Sequence, residues 1–265
     1  MRKYWKIITN EFQKNLTYRA NIISYNFGNL FEIISQITIW TVIFQGTNMI
    51  KGYTYPEMMT YIIIGWVILF ATSNYGFEER IAKDIHQGTM SNMIVKPISY
   101  IRYIIAVSMG RVVVALVSVV TIEIAMLYLL HDKIILNFNP ATLLLMLAML
   151  IAAFFIKLLF SILIGLIAFW FIEISGTYFS LNIFSKFMSG AYFPMNLLPI
   201  TFVNISLFFP FIYTFFIPLQ LYLKKITFME GLRGLGVEIL WLFLLYLLIK
   251  LVWHFGLKKY EAAGV

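Results

Sequence analysis

Apolar positions dominate the chain and gather into six long runs separated by short polar joints. The runs fall near residues 22–44, 58–77, 101–130, 142–172, 177–193 and 237–255. A bilayer core of about 30 Å is crossed by roughly 20 residues of helix, so the pattern predicts six transmembrane helices. The third and fourth runs are longer than needed, which tilt or projection from the bilayer accommodates. The joints carry turn formers. Residues 46–57 (GTNMIKGYTYPE) hold Gly, Asn and Pro, and Pro140 suits the first turn of the fourth helix.

Three stretches depart from this plain alternation. Ahead of the first run, Trp5, Ile8, Phe12 and Leu16 share one helical face, surrounded by Arg2, Lys3, Lys6, Lys14 and Arg19. A basic amphipathic helix with Trp at its start predicts an interfacial helix over 1–20 on the cytoplasmic leaflet. Within the first run, Tyr25, Asn29, Glu32 and Gln36 recur on one face. Polar groups at membrane depth face protein or a water-filled cavity, so this stripe predicts a translocation pathway or a subunit interface in a dimer. Behind the fifth run, residues 194–223 are apolar yet contain Pro194, Pro199, Pro210 and Pro218. Repeated proline interrupts the helical ladder, and lipid tolerates no unsatisfied backbone. Short re-entrant helices in the outer leaflet, shielded by neighbouring helices, are predicted there.

Composition agrees with a membrane location. Hydrophobic residues make up 61% of the 265 and charged residues 12%, against about 25% charged in soluble domains; mean hydropathy is +0.86. The absence of cysteine excludes disulfides, thiolate metal sites and cysteine nucleophiles. The net charge of +8 reads as orientation rather than nucleic-acid binding. With both termini inside, eleven Lys and Arg fall in cytoplasmic segments and five in outer ones, as the positive-inside rule requires. The N-terminus has no uninterrupted apolar core and does not read as a signal peptide.

Catalytic signatures are sparse. No G-x-x-x-x-G-K-[ST] stretch occurs, and GLRGLG at 231–236 lacks both a preceding strand and the Lys-Ser or Lys-Thr of a phosphate loop. His86, His131 and His254 lack metal-ligand spacing, and His131 beside Asp132 reads as a solvated turn. No G-x-S-x-G elbow is present. An intramembrane lipid-modifying enzyme is the alternative function, but it needs clustered His, Asp or Ser near one face. A membrane anchor or sensor would need a sizeable soluble domain.

Two motifs sharpen the reading. Gly88, Thr89, Lys96, Pro97 and Ser99 form a G-T-x(6)-K-P-x-S stretch after a charged helix. Gly190, Phe193, Pro194, Leu198 and Pro199 form G-x-x-F-P-x-x-x-L-P, followed by Pro210, Phe211 and Tyr213 in P-F-x-Y. In this order and spacing, with six apolar runs and an interfacial helix, the chain resembles the ABC-2-type permease family, the membrane subunits of ATP-driven exporters. Within that family it most resembles the bacterial branch with paired, unlike permeases.

The resemblance implies an all-α polytopic fold in a single permease domain over 1–265, in the inner (plasma) membrane with both termini cytoplasmic. It implies a second permease subunit, identical or related, and two copies of a cytoplasmic ATPase. ATP and Mg would sit on that partner, with no cofactor on this chain. Lipid-like molecules, drugs, peptides and glycans all remain open as cargo.

Site residues follow. The 78–99 segment is the one internal cytoplasmic loop long enough to dock a motor. Its Ile81 and Ile85 form an apolar face for a partner groove. Glu79, Arg80, Lys83 and Asp84 are expected to contact the ATPase, with Gly88 ending the helix. Intramembrane charges are Glu32, Arg111, Glu123, Lys157, Lys186 and, near an end, Glu173. Glu32 is expected to pair with Lys157 or Lys186, while Arg111 and Glu173 read as structural. Tyr192, Phe193, Pro194, Phe211 and Tyr213 are expected to form the outer gate.

Overall fold

The computed structural model describes residues 2–17, 19–72, 76–91 and 99–260, with backbone alone given at 2, 15–17, 19–27, 29, 113–125 and 127. Lys96 and Pro97 of the first motif lie outside the described residues, as do the side chains of Tyr25, Asn29 and Glu123.

The described elements run α1 (Arg2–Thr17), α2 (Arg19–Ile43), β1 (Met49–Ile50), β2 (Tyr53–Thr54), α3 (Tyr55–Ala71), α4 (Phe77–His86), α5 (Tyr100–Leu129), α6 (Pro140–Leu166), α7 (Ser175–Ser189), α8 (Ile200–Ser206), α9 (Phe211–Thr214), α10 (Phe216–Tyr222) and α11 (Phe228–Lys259). The fold is helical and of membrane type. Two stretches, Pro140–Phe169 and Phe228–Lys259, are long and apolar enough to cross a bilayer alone.

Local chemistry sets the boundaries. Asn139 caps α6 by accepting from the backbone N–H groups of Ala141 and Thr142 at 3.0 and 3.2 Å, and Pro140 opens its first turn. Thr227 and Glu230 form a reciprocal capping box. That box starts α11 at Phe228, ahead of the apolar run expected from 237. The GLRGLG segment is therefore helix: its Gly231 and Gly234 let Leu221, Leu145 and Ile217 pack against the α11 backbone. The expected loop at 46–57 contains a small antiparallel hairpin, Met49 opposite Thr54 and Ile50 opposite Tyr53.

The fifth apolar run is shorter as a helix than its hydropathy indicated. At 15 residues, α7 is about 22 Å long. It stops at Gly190, whose φ of +81° is left-handed and whose carbonyl accepts from the Tyr61 hydroxyl at 2.6 Å. The proline-rich region then breaks into a 3-10 turn at Met195–Leu197 and the short helices α8, α9 and α10.

Two apolar clusters hold the molecule. One gathers Tyr53, Met58, Tyr61, Met195, Phe215 and Leu219 from the hairpin, α3 and the proline-rich region. The other gathers Phe77, Ile81, Tyr100, Ile104, Leu166 and Ile249 from α4, α5, α6 and α11. On α11, Ile239, Phe243, Leu247 and Leu251 recur every four residues and are each about half exposed. A face so apolar and uncovered suits lipid.

Candidate functional site

A cavity of about 260 Å³ lies where the two clusters meet. Trp66 and Phe70 of α3 come from one cluster and Ile156 of α6 from the other. Glu32 of α2, Lys157 and Ser161 of α6, Tyr178, Asn182 and Lys186 of α7, and Phe211 of α9 complete the wall. Glu78 of α4 reaches in as well. Three of the residues read as intramembrane charges, Glu32, Lys157 and Lys186, thus line one space.

They do not pair as expected. Among the described residues Glu32 forms no ion pair with either lysine. The Lys157 ammonium instead donates to the Thr72 hydroxyl at 2.7 Å, where α3 has just ended. Lys157 and Lys186 face the same cavity from α6 and α7. In the described half of the polar stripe, Gln36 accepts from the Trp66 indole at 3.2 Å and Glu32 faces the cavity.

Glu78 is the residue that sequence reasoning missed. It is fully buried; its Oε2 accepts from Ser161, and Oε1 has no hydrogen-bond partner among the described residues. Burial pushes its carboxyl above the usual range, opposed by the Ser161 hydrogen bond. The helical spacing of Glu78 to Ile81, Ala82 and Ile85 was the available signal, because it puts the acid on their buried face. A second such acid, Glu238, is buried on α11, and neither oxygen has a hydrogen-bond partner among the described residues; it stands near the head of the last apolar run.

The helix α4 corrects one expectation. Ile81 and Ile85 are buried against this chain, not offered to a partner. At Gly165 of α6 an added Cβ would lie 2.8 Å from the Ile81 Cβ and 3.1 Å from the Glu78 backbone, so α4 lies directly on α6. Of the four expected contact residues, Glu79 and Lys83 are exposed. Arg80 is held by the Tyr103 hydroxyl at 2.8 Å and by Glu11 at 3.8 Å. Asp84 accepts from the Tyr100 hydroxyl at 2.8 Å. Gly88, with φ +71°, follows the end of the helix as its type requires.

On α1, Trp5 is 68% exposed and Glu11 is buried, where it binds Arg111 of α5 at 3.2 Å. Arg111 further stacks over Phe77 of α4, 4.9 Å from the ring centroid. One acid thus ties α1, α4 and α5 together.

Of the expected gate residues, Phe211 lines the large cavity and packs edge-on to Phe160 at 5.1 Å. Tyr192 and Phe193 line a separate void of about 10 Å³, room for about one water. Pro194 is buried, and the Tyr213 hydroxyl donates to the Leu207 carbonyl at 3.2 Å. Beside them a polar hub fastens the hairpin to the proline-rich region. The Tyr53 hydroxyl accepts from Gln220 at 2.6 Å and donates to Asn196 at 3.1 Å. Lys225 binds Glu57 at 2.8 Å, and Lys51 donates to the Leu197 carbonyl at 2.8 Å.

Long apolar helices around a charge-lined cavity fit a helical membrane protein. The chain belongs to the family described as ABC-2 family transporter protein, whose model matches residues 30–264. It is a transmembrane permease subunit of an ABC transporter. No curated protein and no solved structure matches it.

Proposed function

We propose that the chain is an export permease driven by ATP hydrolysed on a separate subunit. Two permease subunits, identical or related, enclose the pathway in the cell's inner membrane. Two ATPase copies, which carry the ATP and Mg, dock on the cytoplasmic side, where both termini also lie. In this reading α2, α3 from Met58 onward, α5, α6, α7 and α11 span the bilayer. The short helices α8 to α10 are re-entrant and cap the outer end.

One observation carries the reading. Glu78 belongs to α4, the helix expected to receive the motor, yet its carboxyl sits in the cavity wall bonded to Ser161. A push on the exposed side of α4, at Glu79 and Lys83, therefore moves a group that touches the cargo space. The push also reaches α6 directly, because α4 rests on Gly165. The near-closed void at Tyr192 and Phe193 suits a resting state shut to the outside.

The test is a charge swap. Glu79→Lys together with Lys83→Glu should abolish cargo-stimulated ATP hydrolysis by the reconstituted complex while leaving the melting temperature unchanged. Arg80→Glu should lower both, because Arg80 also holds Glu11 and Tyr103. Undiminished stimulation in the doubly swapped protein rules α4 out as the coupling element.

A further inference from the structure

The charges lining the cavity are Glu32, Glu78, Lys157 and Lys186, and they are not equally available. Glu78 is fully buried, and one of its carboxyl oxygens is engaged by Ser161. Lys157 and Lys186 are each partly exposed and form no ion pair among the described residues. Among the described residues the Lys157 ammonium donates to a neutral hydroxyl, that of Thr72. Glu32 lines the cavity from α2, on a different helix from either lysine. Two ammonium groups that line one cavity without an ion pair among the described residues are costly at membrane depth, and an arriving anion relieves that cost.

Size and lining define the rest of the ligand. About 260 Å³ falls below the roughly 300 Å³ at which pockets enclose a drug-sized molecule, so the space takes a headgroup and leaves an apolar tail outside. Trp66, Phe160 and Phe211 line the same space. Aromatic rings alone would equally suit a quaternary ammonium, but the two lysines repel one.

We propose that the cavity receives the anionic headgroup of an amphiphile, a phosphate or carboxylate, between Lys157 and Lys186, with the adjoining apolar part against Trp66, Phe160 and Phe211. The inference rests on the transport reading of this cavity and adds the class of its cargo. A membrane phospholipid and a free amphiphile share this chemistry.

The experiment measures the melting temperature of the purified full chain in neutral maltoside micelles, since a ligand of the folded state raises it. The probes are dodecyl phosphate, dodecyltrimethylammonium and micelle-borne phosphatidylglycerol. Dodecyl phosphate should raise the melting temperature saturably and dodecyltrimethylammonium should not. Lys157→Met and Lys186→Met should each weaken the apparent affinity for dodecyl phosphate at least about tenfold, one buried charge-assisted contact being worth about 1.5–3 kcal/mol. Lys133→Met, on an exposed turn, should leave it unchanged. A lysine-dependent response to phosphatidylglycerol assigns a lipid headgroup; a response to dodecyl phosphate alone assigns a free amphiphile. Equal shifts from the two dodecyl probes, or an undiminished phosphate shift in both methionine variants, overturn the proposal. Should the methionine variants fail to fold, the wild-type preference and its retention in Lys157→Arg and Lys186→Arg decide. Binding needs no ATPase, so anion binding without ATP-driven transport sinks only the transport reading. Transport without anion preference sinks only this inference.

Discussion

Glu57 carries its charge where the hairpin end of α3 meets the turn ahead of α11, and its environment has a pH consequence. Burial alone would raise its carboxyl, but the Lys225 ammonium and the Thr54 backbone N–H and hydroxyl outweigh that and hold it below its ordinary value of 4.5. A carboxyl that ionises more readily folded than unfolded contributes stability above the unfolded value. That contribution is lost as pH falls through the lower folded value. The parent protein should therefore lose stability on acidification below about pH 4.5, and Glu57→Gln should lose less over the same interval. Thermal unfolding followed from neutral pH down to about pH 3 measures the difference. An identical decline in the two proteins would leave Glu57 without a part in it. At this scale the sequence was partly legible. Glu32, Lys157 and Lys186 stood out as charges in apolar runs and do share one cavity. Their pairing was not legible, because whether two side chains meet depends on helix rotation and depth, which periodicity leaves open.

Between elements, the seating of α4 on α6 is the contact on which the proposed coupling depends. An alanine at 165 would bring a Cβ to 2.8 Å from Ile81 and 3.1 Å from the Glu78 backbone, and backbone cannot move aside cheaply. Overpacking of that kind costs about 1–3 kcal/mol, while helical alanine in place of glycine returns about 1 kcal/mol. Gly165→Ala should therefore destabilise the protein by on the order of 1 kcal/mol and weaken coupling. Gly236→Ala, where no atom lies within 4 Å, should be neutral or stabilising. Melting temperatures of the two variants in one detergent make the comparison, and equal behaviour would contradict the contact. The α4 helix also marks how far pattern reading reaches. Its length, its charged face and its stop at Gly88 followed from the sequence. The destination of its apolar face did not, because Ile81 and Ile85 suit any apolar surface, and the nearest one belongs to the same chain.

For the whole molecule, the proposed topology puts the hairpin and the turn after α5 outside and α4 inside. The chain has no cysteine, so single cysteines at exposed sites report sidedness without background. Lys133→Cys and Lys51→Cys should react with an impermeant maleimide in intact cells. Lys83→Cys should react only after permeabilisation. Labelling of Lys83→Cys in intact cells would invert the arrangement and remove α4 from the motor's reach. The Tyr53 hub belongs to this scale too. Tyr53 lies more than a hundred residues from both Gln220 and Asn196 in the chain yet hydrogen-bonds to each, so no local pattern marks them as a unit.

The division between sequence and structure follows from the range of each interaction. Apolar runs, proline spacing and two ordered motifs were enough to place the helices, the broken segment behind α7 and the family, because bilayer thickness, backbone hydrogen bonding and turn chemistry act over a few consecutive residues. Capping refined the ends: the Thr227–Glu230 box was written in the sequence and starts α11 earlier than hydropathy did. Only the tertiary structure decided that Glu78 faces inward to Ser161, that Lys157 turns to Thr72 rather than to Glu32, and that on α1 Glu11 is buried and Trp5 exposed. Each of those outcomes depends on how whole helices rotate and settle against one another, and that is fixed by the summed packing of side chains far apart in the chain.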